Sequence, residues 1–96
     1  MDFSTIKHEM AVVFEQITAR TDEGLLPDEI AVNKFYRLCQ RMHQIADDVW
    51  IGEAEDFSHL SHQLLNAVKK NDVESSVMLV ESLQDAQAYC HRTFRE

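Results

Sequence analysis

Two side chains able to hold a metal, Met10 and His91, fall near opposite ends of the chain, and their chemistry depends on whether folding brings them together. On a helical wheel advancing roughly 100° per residue, His91 falls within about 20° of Val73 and Val80, near the middle of an apolar stripe. That placement turns the imidazole inward. Gln87 lies on the same stripe, with Cys90 and Phe94 flanking it. A buried imidazole needs partners for its ring nitrogens, and a helix has few free backbone groups to supply them; a metal or an inserted cofactor would satisfy the need. Met10 sits about 10 Å from the start of the first periodic segment and His91 about 6 Å from the end of the last, at 1.5 Å per residue. Where those ends coincide, thioether and imidazole face one another at similar depth. A His and a Met on opposite sides of a flat macrocycle is a known haem ligation, and Phe3, Ile6, Val49, Phe57, Leu60 and Phe94 are the expected walls of such a pocket. A reading without cofactor stands beside it. Met10 also suits a core as a gap filler, and His91, close to the chain terminus, can instead reach water or a carboxylate.

Four amphipathic segments must position these residues. In the first, Phe3, Ile6, Met10, Val13 and Ile17 recur at spacings of three and four, with Asp2 as N-cap and Gly24 after the end. The second begins at Pro27-Asp28-Glu29, with Pro27 expected at the first helical position; its stripe is Phe35, Leu38, Met42, Ile45 and Val49, and Gly52 is its expected stop. The third is expected from about Ala54 to Lys70, with Phe57, Leu60, Leu64 and Ala67/Val68 inward. Asn71 with Glu74 forms a capping-box pattern for the fourth, whose stripe includes Val73, Val77, Val80, Leu83 and Phe94. Short connections make sequential neighbours antiparallel, so the fold class is all-α, an up-down-up-down four-helix bundle forming a single domain over residues 1–96.

Composition agrees with that class. A chain of 96 residues buries one core, and two glycines and one proline are too few turn formers for a many-stranded sheet. Seventeen acidic against nine basic side chains give a formal charge of −8, which repels phosphate backbones and anionic lipid; neither nucleic acid nor a membrane surface is an expected partner. No apolar stretch is long enough to span a bilayer, and the first residues lack a secretory pattern. The expectation is a cytoplasmic protein, or a periplasmic one if a leader has been removed. Cys39 and Cys90 are too few for a disulfide framework and lack zinc-site spacing, so they are expected to be unlinked, partly buried thiols.

The segment Cys90-His91-Arg92-Thr93-Phe94-Arg95 resembles the end of the cytochrome c prime family, where a Cys-x-x-Cys-His motif on the last helix is followed by an aromatic and a basic residue. Soluble four-helix cytochrome b relatives end similarly, with His, two residues, then Tyr-Arg. Val73 stands before His91 as a Val does before the haem-ligating His of those relatives. Their other axial ligand is a Met early in the first helix, the place held here by Met10 of Thr5-Ile6-Lys7-His8-Glu9-Met10. The resemblance covers the last helix well and the other three mainly by pattern. It implies haem as cofactor, electron transfer or binding of a small gas as function, and a redox partner protein in the first case. Residue 87 is Gln where the first Cys of the c-type motif would fall, so at most one thioether link, through Cys90, can form. Noncovalent haem on Met10 and His91, single-thioether haem and a bundle without haem all remain open.

Other chemistries fit less well. A di-iron centre needs Glu-x-x-His on two helices, and Asp56-x-x-His59 is the nearest approach. His59 and His62 fall opposite Leu60 and Leu64 on the wheel and are expected in solvent; His43 lies at the edge of its stripe and His8 off it. A histidine phosphotransfer domain is also an acidic four-helix bundle, but Gln63-Leu64-Leu65-Asn66 after His62 lacks that family's Lys and Gly. No nucleophile and base are spaced for catalysis and no phosphate loop exists, so an enzyme is not expected. The main rival is a cofactor-free interaction protein, its partner another protein or a second copy in a homodimer, with Val12, Val32, Met78 and Leu79 as exposed apolar candidates.

Overall fold

Asp2 accepts a hydrogen bond from the Thr5 N–H at 2.8 Å and caps the first helix, α1 (Phe3–Thr21), as the sequence predicts. The computed structural model describes the backbone over residues 2–93 and the side chains over residues 2–89. Ile6, Met10, Val13 and Ile17 are buried along α1, together with Phe14, while Phe3 is half-buried at its start. Gly24, at φ 73°, donates to the Thr21 carbonyl, and Leu25 donates to that of Arg20, both at 3.0 Å. These paired bonds close the helix and need a left-handed residue at Gly24.

Asp28 rather than Pro27 opens α2 (Glu29–Ile45), its carboxylate accepting from the Ala31 N–H at 3.2 Å. Pro27 lies before that cap and is buried; a carboxylate satisfies an orphan N–H where a proline ring cannot. Phe35, Leu38, Cys39 and Met42 point inward. So does Val32, fully buried rather than exposed, because it stands one turn before Phe35 on the same face. The helix stops at Ile45 and does not run on to Gly52. Ala46 turns extended, and the Asp47 carboxylate then accepts from the Val49 N–H at 3.0 Å, building a turn where a further helical repeat was expected. Val49 is consequently 72% exposed and Ile45 44% exposed, so neither continues the buried stripe.

Gly52 lies inside α3 (Ile51–Lys69), which begins earlier than Ala54. Phe57, Leu64, Ala67 and Val68 are buried as the periodicity predicts; Leu60 is only half-buried, while Leu65 is buried in addition. His59 and His62 are exposed, the His62 ring lying 5.3 Å from that of Tyr36. Asn71 does not cap the next helix. At φ 58° it supplies the left-handed residue that closes α3, its N–H donating to the Val68 carbonyl at 3.0 Å and that of Asp72 to Ala67 at 2.9 Å. Asp72 is the cap of α4 (Val73–Thr93), accepting from the Ser75 N–H at 3.0 Å. Its carboxyl is held below the usual range by the Ser75 backbone and side-chain hydrogen bonds, as Asp2's is by those from Thr5. Val80 and Leu83 of α4 are buried. Val73, in the first turn beyond the core, is 38% exposed, and Val77 is half-buried. Phe94 lies outside the described residues.

The helices form one four-helix bundle, 35 × 24 × 19 Å. Each packs on its neighbours in sequence, and with loops this short those neighbours run antiparallel. Ile6, Ile17, Leu64 and Leu83 are fully buried, each stabilising the fold by roughly 1.5–3 kcal/mol relative to exposure. Ser61 and Ser76, also buried, donate to the carbonyls of Ser58 and Asp72 at 2.9 and 2.7 Å. Of the helix pairs that touch, α1 and α4 approach one another least among the described residues. No helix among the described residues is long and apolar enough to cross a membrane.

Candidate functional site

A cavity of about 460 Å³ occupies the end of the bundle where α1 and α3 begin and α2 and α4 finish. Helix α1 contributes Phe3, Lys7, His8, Met10, Ala11 and Phe14; α2 contributes Phe35 and Met42. Trp50, just ahead of α3, lines it with Glu53, Ala54 and Phe57, and Gln87 lines it from α4. Its origin is geometric. The α1 and α4 backbones make little contact, and Ala11 and Ala54 are too small to fill the space between the larger residues.

The aromatic residues form two pairs. Phe14 and Phe35 stack at the floor, with ring centroids 5.2 Å apart, and Phe3 meets Trp50 near the mouth at 4.9 Å. The Lys7 ammonium lies 5.3 Å from the Phe3 centroid, within range of a cation–π attraction. Met10, Phe14, Phe35, Met42, Ala54 and Phe57 are buried, Lys7, Glu53 and Gln87 are half-buried, and His8 is exposed. Among the described residues the wall is thus apolar inside and polar where it meets solvent, the arrangement expected of a small-molecule site.

Of the residues singled out in the sequence, the structure brings Met10, Phe3 and Phe57 together on this cavity. Ile6 and Leu60 are not on its wall: Ile6 is fully enclosed in the core and Leu60 packs at the core's edge. Val49, expected as a wall, stands in solvent because α2 ends before it. The backbone of Cys90 and His91 continues α4, but their side chains lie outside the described residues, as does Phe94. Sequence reasoning missed Phe14, Trp50 and the second thioether, Met42, as cavity residues. Phe14 follows Met10 by four residues, a spacing that could have found it.

Cys39 is no part of the site. Burial pushes its thiol up to about 12, partly offset by a hydrogen bond with Ser61, and leaves it inert at neutral pH. Among the described residues no group of three or more His, Cys, Asp or Glu side chains is gathered to hold an ion. No family model, curated protein or solved structure matches this chain.

Proposed function

We propose that this chain is a small-molecule-binding four-helix bundle, and that the molecule it holds is haem. The observation that carries the reading is the end cavity, about 460 Å³ and walled by Phe, Trp and Met side chains. Its size lies within the roughly 300–1,000 Å³ of small-molecule sites. The residues fit an apolar macrocycle with a soft axial donor. Met10 presents a thioether at the wall, and Gln87 on the same wall stands four residues before His91 in α4, the helical spacing that supports the reading.

Haem would supply a one-electron iron couple, or a binding position for a small gas where one axial site stays open. The chain's own residues would do the rest. Phe14, Phe35 and Phe57 exclude water, Met10 and His91 offer axial donors, and Lys7 and His8 meet solvent at the mouth. With both donors engaged no iron position is left open, which favours electron transfer to a partner protein over gas binding.

The reading is tested by titrating haem into the purified protein and following absorbance for wild type, Met10→Ala and His91→Ala, with a pyridine haemochrome assay for a bond to Cys90. A stoichiometric complex that loses its low-spin spectrum in either variant is expected. A wild-type titration with no Soret shift, or one unaltered by His91→Ala, removes the haem assignment.

A further inference from the structure

Among the described residues, the charged side chains that line the cavity lie at its mouth. Lys7 and His8 are consecutive on α1, Glu53 stands on α3, and the floor beneath them carries no charge. Lys7 is held at the aromatic edge of the mouth, its ammonium 5.3 Å from the Phe3 centroid, and Phe3 in turn packs on Trp50. In a chain of net charge −8, the α1 side of this opening is a place where cationic and titratable basic groups adjoin an apolar site. We propose that the site selects amphipathic acids: an apolar body fills the cavity, and a carboxylate edge sits at the mouth beside Lys7 and His8. This rests on the cavity being the binding site; for haem it orients both propionates toward solvent on the α1 side. Glu53 opposes the same carboxylates and lowers the affinity they would otherwise reach.

Trp50 is the chain's single tryptophan and lines the cavity, so its quenching reports occupancy without reference to iron. The experiment compares haem with its dimethyl ester, the same macrocycle without carboxylates, on wild type, Lys7→Gln and Glu53→Gln. Half-exposed charge pairs alter binding modestly, so Lys7→Gln should weaken the diacid about three- to fivefold and Glu53→Gln should tighten it by a similar factor. Either substitution should move the ester less than the diacid. The preference of wild type for the diacid should shrink in about 0.5 M salt, where the screening length falls to a few Å. Equal binding of diacid and ester by wild type overturns the proposal while leaving haem binding intact. A Lys7→Gln effect that is the same on both ligands also overturns it, because that would be packing rather than charge. Binding of neither ligand removes the functional reading and this inference with it.

Discussion

Replacing Leu64 by Asp tests whether the buried face of α3 does what the packing requires. Leu64 is fully buried, so truncation to Ala alone should cost about 3–5 kcal/mol, the lost transfer energy plus the cavity left behind. A domain of this length has roughly 5–14 kcal/mol of stability in all. Leu64→Ala should therefore fold with its melting midpoint lowered by at least about 12 °C, at some 4 °C or more per kcal/mol. Leu64→Asp loses the same apolar contacts and adds an unpaired carboxylate in the core, so it should be largely unfolded at pH 7. The pH dependence carries a sign. Burial raises the introduced carboxyl's pKa in the folded state, so stability is recovered below the unfolded carboxylate pKa and lost as pH rises through the folded value. Leu64→Asn, which does not titrate, supplies the reference that removes acid effects elsewhere in the chain. Circular dichroism melts of the three variants between pH 4 and 7 are the assay, with pH 4 near the ordinary carboxylate pKa. A Leu64→Asp midpoint within about 2 °C of wild type, a shift worth under 1 kcal/mol here, would refute the assigned face of α3.

The two glycines should respond with opposite signs. Gly24→Ala should destabilise by about 1 kcal/mol in denaturant titrations, because φ is 73° there and an added Cβ meets nothing, so the cost is purely backbone. Gly52→Ala, inside α3 and with nothing within 4 Å of the new Cβ, should stabilise by about 0.5–1 kcal/mol. In a Cys90→Ala background, Cys39 should react with a thiol reagent at pH 8 at least about a hundredfold more slowly than the urea-unfolded chain, since a thiol at about 12 is almost wholly protonated; comparable rates would contradict its burial. Asp72→Ala should lower the melting midpoint at pH 7 while Asp72→Asn preserves most of the cap. The Asp72 carboxyl is depressed in the folded state, so its contribution is present above the unfolded carboxylate pKa and disappears as pH falls through the folded value. Melts of Asp72→Ala and wild type should accordingly converge in acid.

Much of the architecture was legible before folding because it depends on neighbours in the chain. The α1 stripe from Ile6 to Ile17 and the Asp2 cap follow from helical geometry and from one side chain reaching an N–H three residues on, both local properties. Where periodicity misled, a local alternative of similar plausibility won through hydrogen bonds that spacing does not rank. Asp47 drew the chain into a turn that ended α2 and exposed Val49, and Asn71 closed α3 while Asp72 capped α4. The cavity belongs to a different kind of fact. It is volume left where four helices meet and α1 touches α4 only lightly, so it depends on interhelical spacing and on which side chains reach across. No single helix's pattern contains that information. The inward face of Met10 was readable from α1 alone. That it shares a cavity with Met42, Trp50 and Gln87, residues distant in the chain, was decided only by tertiary packing, because side chains far apart in sequence meet only after the backbone has chosen how its helices lie against one another.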